Sequence, residues 1–177
     1  NLGLARQLLA DETEDRSTVV ELLAEMTVDV RETIAQVRDL AHGIYPPLLR
    51  QAGLPDALRA AAQRSAAAVT VESEGVGRHG ADIEAAVYFC ALEALQNVAK
   101  HAPEASATVR LSGTGTELLL EVVDDGQGFD PAAAADGQGM QNMTDRLGAV
   151  GGTLRWESTP GRGTRVCAAV PLREGAS

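Results

Sequence analysis

Hydrophobic residues recur at helical spacing in two stretches at the start of the chain. Residues 1–10 carry a single apolar side, and from residue 18 to about residue 41 the apolar spacing alternates between four and three, the heptad pattern of packed helices. Thr18 and Glu21 form a capping box where the second stretch begins. We therefore predict a helical hairpin, which packs either within one monomer or, as we favour, as half of a dimeric four-helix bundle. The seam positions are Val19, Leu23, Met26, Val30, Thr33, Val37 and Leu40.

A proline pair separates this hairpin from the rest of the chain. Pro46 and Pro47 end the second helix, because proline cannot donate a backbone hydrogen bond and disfavours helical geometry in the residue before it. We predict a partial dimerisation hairpin over residues 1–45, a linker over 46–54 and a second domain over 55–174.

The second domain alternates between helical and strand-like patterns. Helical spacing predicts helices over residues 55–68, from Asp82, which we expect to cap its helix, to just before Pro103, and over 141–150. Alternating positions predict strands at 69–72, 107–111, 117–123, 153–158 and 164–170, with Pro160-Gly161 as a type II turn. The predicted fold class is α+β, a helical hairpin followed by a two-layer α/β sandwich with helices on one face of a mixed sheet.

The candidate chemistry lies in the middle of this domain. Glu93, Asn97 and Lys100 fall on one stripe of the central helix, opposite a broad apolar face. Such a stripe is by itself typical of the solvated side of a helix. However, the segment Asp124–Phe129 places an acidic Gly-x-Gly loop directly after a predicted strand. Because glycine lets the backbone approach a ligand closely, this loop favours a binding site.

The motifs resemble those of a known family. Glu93–His101 resembles the N-box of sensor histidine kinases of the NarL/DesK type, and Asp124–Gly128 resembles their D-x-G-x-G box. Gly137–Met140 is similar to their second glycine box, and the pair Gly163-Thr164 closes the series in the same order. The resemblance covers nearly the whole chain. It implies a HisKA_3 dimerisation region followed by the HATPase_c domain of the GHKL superfamily, the Bergerat-type ATP-binding fold.

The resemblance also implies roles for individual residues. It assigns Asn97 to Mg²⁺, a hard cation that prefers oxygen ligands, and Asp124 to the exocyclic amine of adenine. Three roles stay open for Glu93. It orients a metal-bound water, it acts as a base, or it is a hydrogen-bonded carboxylate at the rim of the site. For Lys100 and His101 two roles stay open, a contact with phosphate or exposure to solvent. The remaining candidates for nucleotide binding are Gly126, Gly128, Gly137, Gly139, Met140 and Thr164.

Composition narrows the possible ligands. The formal net charge of −10 argues against a nucleic-acid partner, which requires clustered Lys and Arg. The negative charge does not exclude ATP as a ligand, because backbone N–H groups and Mg²⁺ can hold phosphates inside an acidic protein. Cys90 and Cys167 fit buried, reduced thiols rather than a disulfide framework or a metal site. No apolar run is long enough to span a bilayer, so we expect a cytoplasmic segment without direct membrane contact, and a membrane anchor elsewhere in the full-length protein stays open.

The resemblance implies a kinase that moves the γ-phosphoryl group of ATP to a histidine in the helical hairpin. The receiver domain of a response regulator then takes the group. No histidine occurs in residues 1–41, and the chain does not begin with Met. We therefore expect a fragment that lacks the acceptor and does not autophosphorylate. The alternatives are a nucleotide-binding pseudokinase scaffold, which the intact motifs disfavour, and an anti-sigma-factor-type serine kinase, which lacks the long preceding hairpin.

Overall fold

A computed structural model describes residues 46–130 and 138–172. The predictions for residues 1–45, including the helical hairpin and its heptad seam, lie outside the described residues. All described residues belong to one compact unit, Tyr45–Ser177.

Four helices and five strands follow one another in the described part of the chain. They are α1 (Pro47–Ala52), α2 (Leu54–Ala62), β1 (Ala68–Glu74), α3 (Ala81–His101), β2 (Ser106–Gly113), β3 (Glu117–Asp124), α4 (Gln138–Ala149), β4 (Thr153–Ser158) and β5 (Thr164–Pro171). The strands form one sheet in the order β1-β2-β3-β5-β4. Strands β1 and β2 are parallel, and the other neighbours are antiparallel. The α+β class and the mixed sheet predicted for this domain are confirmed.

The core lies on one face of the sheet. Side chains alternate between buried and more exposed positions along β2, β3 and β5, as expected of strands with only one covered face. The apolar side of α3 packs on that face, and each fully buried aliphatic side chain contributes roughly 2 kcal/mol. The buried side chains of the sheet and of α3 include Val109, Leu111, Leu118, Leu120, Val122, Val166, Val170, Val87, Leu95 and Val98.

The segment predicted as a linker is helical instead. Pro47 occupies the first turn of α1, where the missing N–H of proline costs nothing, so the proline pair begins a helix. Leu49 is fully buried in the same core as the rest of the domain. Gly53, at φ +85°, separates α1 from α2. Residues 46–54 are therefore part of the compact unit.

The start of α3 also differs from the prediction, because Asp82 makes no capping hydrogen bond. Glu84, which is fully buried, accepts hydrogen bonds from the backbone N–H of His79 at 3.0 Å and from Arg78 Nε at 2.9 Å. Arg78 also donates to the carbonyl oxygen of Arg50 at 3.1 Å. Glu84 thus holds the segment before α3 through Arg78 and His79, and Arg78 in turn ties this segment to α1, a long-range contact that local sequence does not encode.

Both cysteines are free thiols, as predicted, but only Cys90 is buried, and Cys167 is half-buried in β5. The pKa of Cys90 is raised to about 12, mainly by burial and also by the nearby Glu93 carboxylate, while Arg146 opposes the rise. Cys90 is therefore an un-ionised core residue at neutral pH. In the described residues, no helix is long and apolar enough to cross a membrane.

Candidate functional site

A cavity opens where the second half of α3 faces the ends of β3 and β5. The predicted site residues that line it are Asn97, His101, Asp124, Gly128, Met140 and Thr164. Its walls are apolar and include Ala94, Val98, Val122 and Val166. An apolar slot with a few polar groups at one end fits a planar heteroaromatic ring. A wider depression on the opposite face of the sheet contains none of the predicted residues.

Two adjacent carboxylates at the end of β3 are used differently. Asp124 lines the cavity, and its Oδ1 accepts a hydrogen bond from the backbone N–H of Gly126 at 2.9 Å. Its Oδ2 has no hydrogen-bond partner within the described part of the chain. Asp125 is exposed and accepts from the backbone N–H of Ser106 at 2.7 Å. Asp124 therefore offers an acceptor to a ligand, whereas Asp125 is a turn residue.

The glycines of the loop after β3 are required by close packing. A Cβ atom at Gly126 would overlap the Cβ of Ala102 at the end of α3. Gly128 has φ +60°, and a Cβ atom there would overlap the carbonyl oxygen of Thr159. Gly128 lines the cavity, whereas Gly126 lies behind Asp124 and shapes the loop.

Gln127, between these glycines, was not predicted from the sequence. Its Nε2 donates a hydrogen bond to the backbone oxygen of His101 at 2.8 Å, and its own backbone oxygen accepts one from Gly161 at 2.6 Å. Gln127 therefore joins the loop to the end of α3 and to the β4–β5 turn. Phe129, two residues after Gln127, is half-buried and lines the cavity.

The second glycine motif begins a helix earlier than predicted. Residues up to 140 were expected to be loop, but α4 starts at Gln138, so Gly139 lies in the first helical turn. Backbone N–H groups in a first turn have no partner within the helix and attract anions. A Cβ atom at Gly139 would lie 2.5 Å from Glu93 Oε1, so α4 begins directly against α3. Gly137 lies outside the described residues.

Some residues of the polar stripe on α3 line the cavity and others do not. Asn97 is half-buried and lines the cavity, and its amide has no hydrogen-bond partner among residues 46–130 and 138–172. Glu93, one turn earlier, lies beside Gly139 rather than in the cavity. Lys100 is exposed and does not line the cavity. Only part of the stripe therefore faces the cavity.

Ser158 makes hydrogen bonds to three residues around the cavity. Ser158 Oγ lies 2.8 Å from the backbone nitrogen of Phe129, 3.0 Å from the carbonyl oxygen of Gly163 and 3.1 Å from Thr164 Oγ1. Ser158 is the last residue of β4, directly opposite Thr164 in the β4–β5 pairing. Sequence reasoning missed Ser158, because the contact depends on the strand register and on the fold of the loop ending at Phe129.

The described residues contain no group of three or more His, Cys, Asp or Glu side chains that could hold a metal ion. A divalent cation at this site would therefore depend on oxygen atoms of a ligand. Asn97 supplies a single amide oxygen beside the cavity. This arrangement suits Mg²⁺, which is usually bound through one or two side chains, waters and substrate phosphates.

Comparisons with known proteins agree with this geometry. Residues 82–174 match the family of histidine kinase-, DNA gyrase B- and HSP90-like ATPases. The sensor histidine kinase NarS of Mycobacterium tuberculosis is 33% identical over 147 residues, which are 78% of this chain and 34% of NarS. The histidine-protein kinase/phosphatase UhpB of Salmonella typhimurium is 28% identical over 172 residues, 88% of this chain and 34% of UhpB. The chain thus spans about a third of the length of these curated relatives.

Solved structures show the same fold. The histidine kinase domain of the blue-light activated kinase EL346 from Erythrobacter litoralis superposes with a TM-score of 0.55 at 25% identity, over 68% of this chain and 60% of that one. The family match covers more than half of the chain, since residues 82–174 are 93 of its 177. The chain therefore belongs to the family of histidine kinase-, DNA gyrase B- and HSP90-like ATPases.

Proposed function

We propose that this chain binds Mg²⁺-ATP in the cavity between α3 and β3 and presents the γ-phosphoryl group to a histidine. The main support is the position of Asp124, whose Oδ2 is without a partner in the described residues at the end of an apolar slot. A carboxylate there accepts a hydrogen bond from the exocyclic amine of adenine. Guanine carries a carbonyl at the same ring position, so the carboxylate disfavours it.

The phosphates would extend from the slot toward the start of α4. Gly139 provides backbone N–H groups at a helix N-terminus there, and its packing against Glu93 keeps this turn close to α3. Lys100 and His101, both exposed near the end of α3, are candidates for further phosphate contacts. Asn97 would hold Mg²⁺ through its amide oxygen. When bound, the cation neutralises phosphate charge, which is most of what phosphoryl transfer requires besides positioning.

The acceptor and the later steps belong to the whole protein. We propose that residues 1–45 contribute to a homodimer, that the acceptor histidine belongs to the dimerisation region, and that a response-regulator receiver domain takes the phosphoryl group. UhpB, a relative, carries the name of a signal-transduction kinase/phosphatase. A cytoplasmic location would give the site access to ATP and to a receiver domain.

Asn97→Ala tests the metal role. The substitution should abolish the gain in ATP affinity that Mg²⁺ provides and leave metal-free ADP binding nearly unchanged, because only the cation loses a ligand. Isothermal titration of ATP with and without Mg²⁺ measures both quantities. Gln96→Ala is the matched control, since it removes an exposed amide from the same helix. An Mg²⁺ dependence that is equal in Asn97→Ala and the parent chain would refute the metal role.

Phosphoryl transfer is tested separately from binding. The histidines of this chain are His42, His79 and His101, and none lies in residues 1–41. We therefore expect that the 177-residue chain binds ATP but gains no acid-labile phosphate from radiolabelled ATP. A longer chain that carries the upstream helix with a histidine should become labelled. Stoichiometric acid-labile phosphate on the 177-residue chain would instead place the acceptor within it, with His42 the first to be replaced.

A further inference from the structure

The hydrogen bonds around Ser158 fix the direction of each donor. Its hydroxyl has one hydrogen atom and two lone pairs. The backbone N–H of Phe129 is a donor, so it occupies one lone pair at 2.8 Å. The carbonyl oxygen of Gly163 can only accept, so the Ser158 hydrogen points to it at 3.0 Å. Gly163 is a buried residue, and leaving its carbonyl oxygen without a donor would cost free energy.

These assignments determine the orientation of the Thr164 hydroxyl. Ser158 has no hydrogen left for the 3.1 Å contact with Thr164 Oγ1. Thr164 must therefore donate its own hydrogen to Ser158. Its remaining lone pairs are then available to the cavity, which Thr164 lines together with Asp124. The polar end of the slot thus presents acceptors from two side chains and no hydroxyl donor from Thr164.

A pair of acceptors selects for a ligand with hydrogens at that position. An amino group can donate to both side chains, directly or through a bridging water. A carbonyl oxygen would face acceptors only, which is unfavourable in a partly buried site. If the Thr164 hydroxyl could turn, it would donate to a carbonyl as easily as it accepts from an amine. Discrimination therefore depends on the residue that prevents this rotation.

We propose that Ser158, which does not line the cavity, is a specificity-determining residue that acts through Thr164. By taking the Thr164 hydrogen, it makes the site prefer 6-aminopurine over 6-oxopurine nucleotides. The inference rests on the proposed adenine site and adds a positioning residue to it. It is distinct from the role of Asp124, because the effect arises from the direction of a neutral hydrogen bond.

The test compares the affinities of the 177-residue chain for ATP and ITP. These nucleotides differ at the 6-position of the purine, where ITP carries a carbonyl. In Ser158→Ala the freed Thr164 hydroxyl can donate to that carbonyl, so the preference for ATP over ITP should fall by about twofold to twelvefold, the range of one hydrogen bond between neutral groups. Ser158→Thr keeps a hydroxyl and should keep the preference.

The ratio separates this role from simple support of the loop. Loosening the loop would lower the affinities for ATP and ITP equally and leave their ratio unchanged. An unchanged ratio in Ser158→Ala would therefore overturn the proposal. Thr164→Val removes the oriented acceptor without altering Ser158, so it should lower the ratio by a similar factor even if Ser158→Ala does not fold. In the Thr164→Val background, Ser158→Ala should have no further effect on the ratio, and an additional fall would also overturn the proposal. A parent chain that binds neither nucleotide would instead overturn the proposed adenine site itself.

Discussion

Replacing Asp124 with asparagine is expected to weaken ATP binding at least tenfold, about 1.4 kcal/mol, while the fold survives. Asp124 Oδ1 accepts from the N–H of Gly126, and in our proposal Oδ2 accepts from the adenine amine. Asparagine has one acceptor and one donor group. Whichever way its amide turns, its NH₂ group faces either the N–H of Gly126 or the adenine amine, and two donors cannot form a hydrogen bond. One hydrogen bond is therefore lost, although both groups have already been removed from water.

Asp125→Asn is the matched control for this prediction. Asp125 also accepts one backbone hydrogen bond, from Ser106 at 2.7 Å, but it does not line the cavity. Its replacement should leave ATP affinity within about twofold of the parent, as expected for an exposed substitution. Calorimetric titration with ATP measures both variants, and circular dichroism checks their fold. Unchanged affinity in a folded Asp124→Asn protein would refute the adenine assignment. A loss of ATP affinity confined to Asp125→Asn would instead assign adenine recognition to Asp125.

Local patterns predicted the parts of the fold that depend on local forces. The pair Pro160-Gly161 predicted a type II turn, and Gly161 has φ +78° with a hydrogen bond from Arg162 N to Thr159 O at 2.9 Å. Alternating positions predicted the strands of the β2–β3 and β4–β5 pairs, which are antiparallel neighbours. Strand ends extended beyond the prediction, because pairing with a neighbour continues where the apolar pattern stops.

Elements that depend on distant partners were predicted less well. Helix α1 was taken for a linker, although burial of Leu49 in the core stabilises it. Capping of α3 was assigned to the nearest suitable residue, Asp82, but no side chain makes a capping hydrogen bond at the start of this helix. The buried carboxylate of Glu84 instead binds Arg78 and the backbone N–H of His79, just before the helix. The contacts that join distant segments here are those of Leu49 with the core and of Arg78 with the carbonyl oxygen of Arg50.

The same division applies to the candidate site. The motif residues Asn97 and Asp124 were identified from spacing and family resemblance, and both line the cavity. Gln127 and Ser158 were not identified, since their side chains act on backbone groups of other segments. A motif lists the residues that face a ligand more readily than it lists those that hold the motif in place.

Two glycines of the β4–β5 turn provide a second test with a large expected effect. Gly161 and Gly163 have nearly equal backbone angles, φ +78° and +75°. A Cβ atom at Gly161 would meet no atom within 4 Å, whereas a Cβ atom at Gly163 would overlap the carbonyl oxygen of Asp124. The pair therefore separates the conformational cost of alanine at positive φ from the steric cost of crowding Asp124.

Gly161→Ala should lower the free energy of unfolding by about 1 kcal/mol, the cost of left-handed backbone for a residue with a Cβ atom, and should leave ATP affinity unchanged. Gly163→Ala should cost at least about 2 kcal/mol more, because the obstacle is backbone and cannot turn away as a flexible side chain would. It should also weaken ATP binding, since relief of the overlap must displace Asp124 or β5. Urea denaturation and ATP titration measure the two effects. If both alanine variants lose the same stability and both bind ATP like the parent, Gly163 is not packed against Asp124 as described, and the end of β3 is free to adjust.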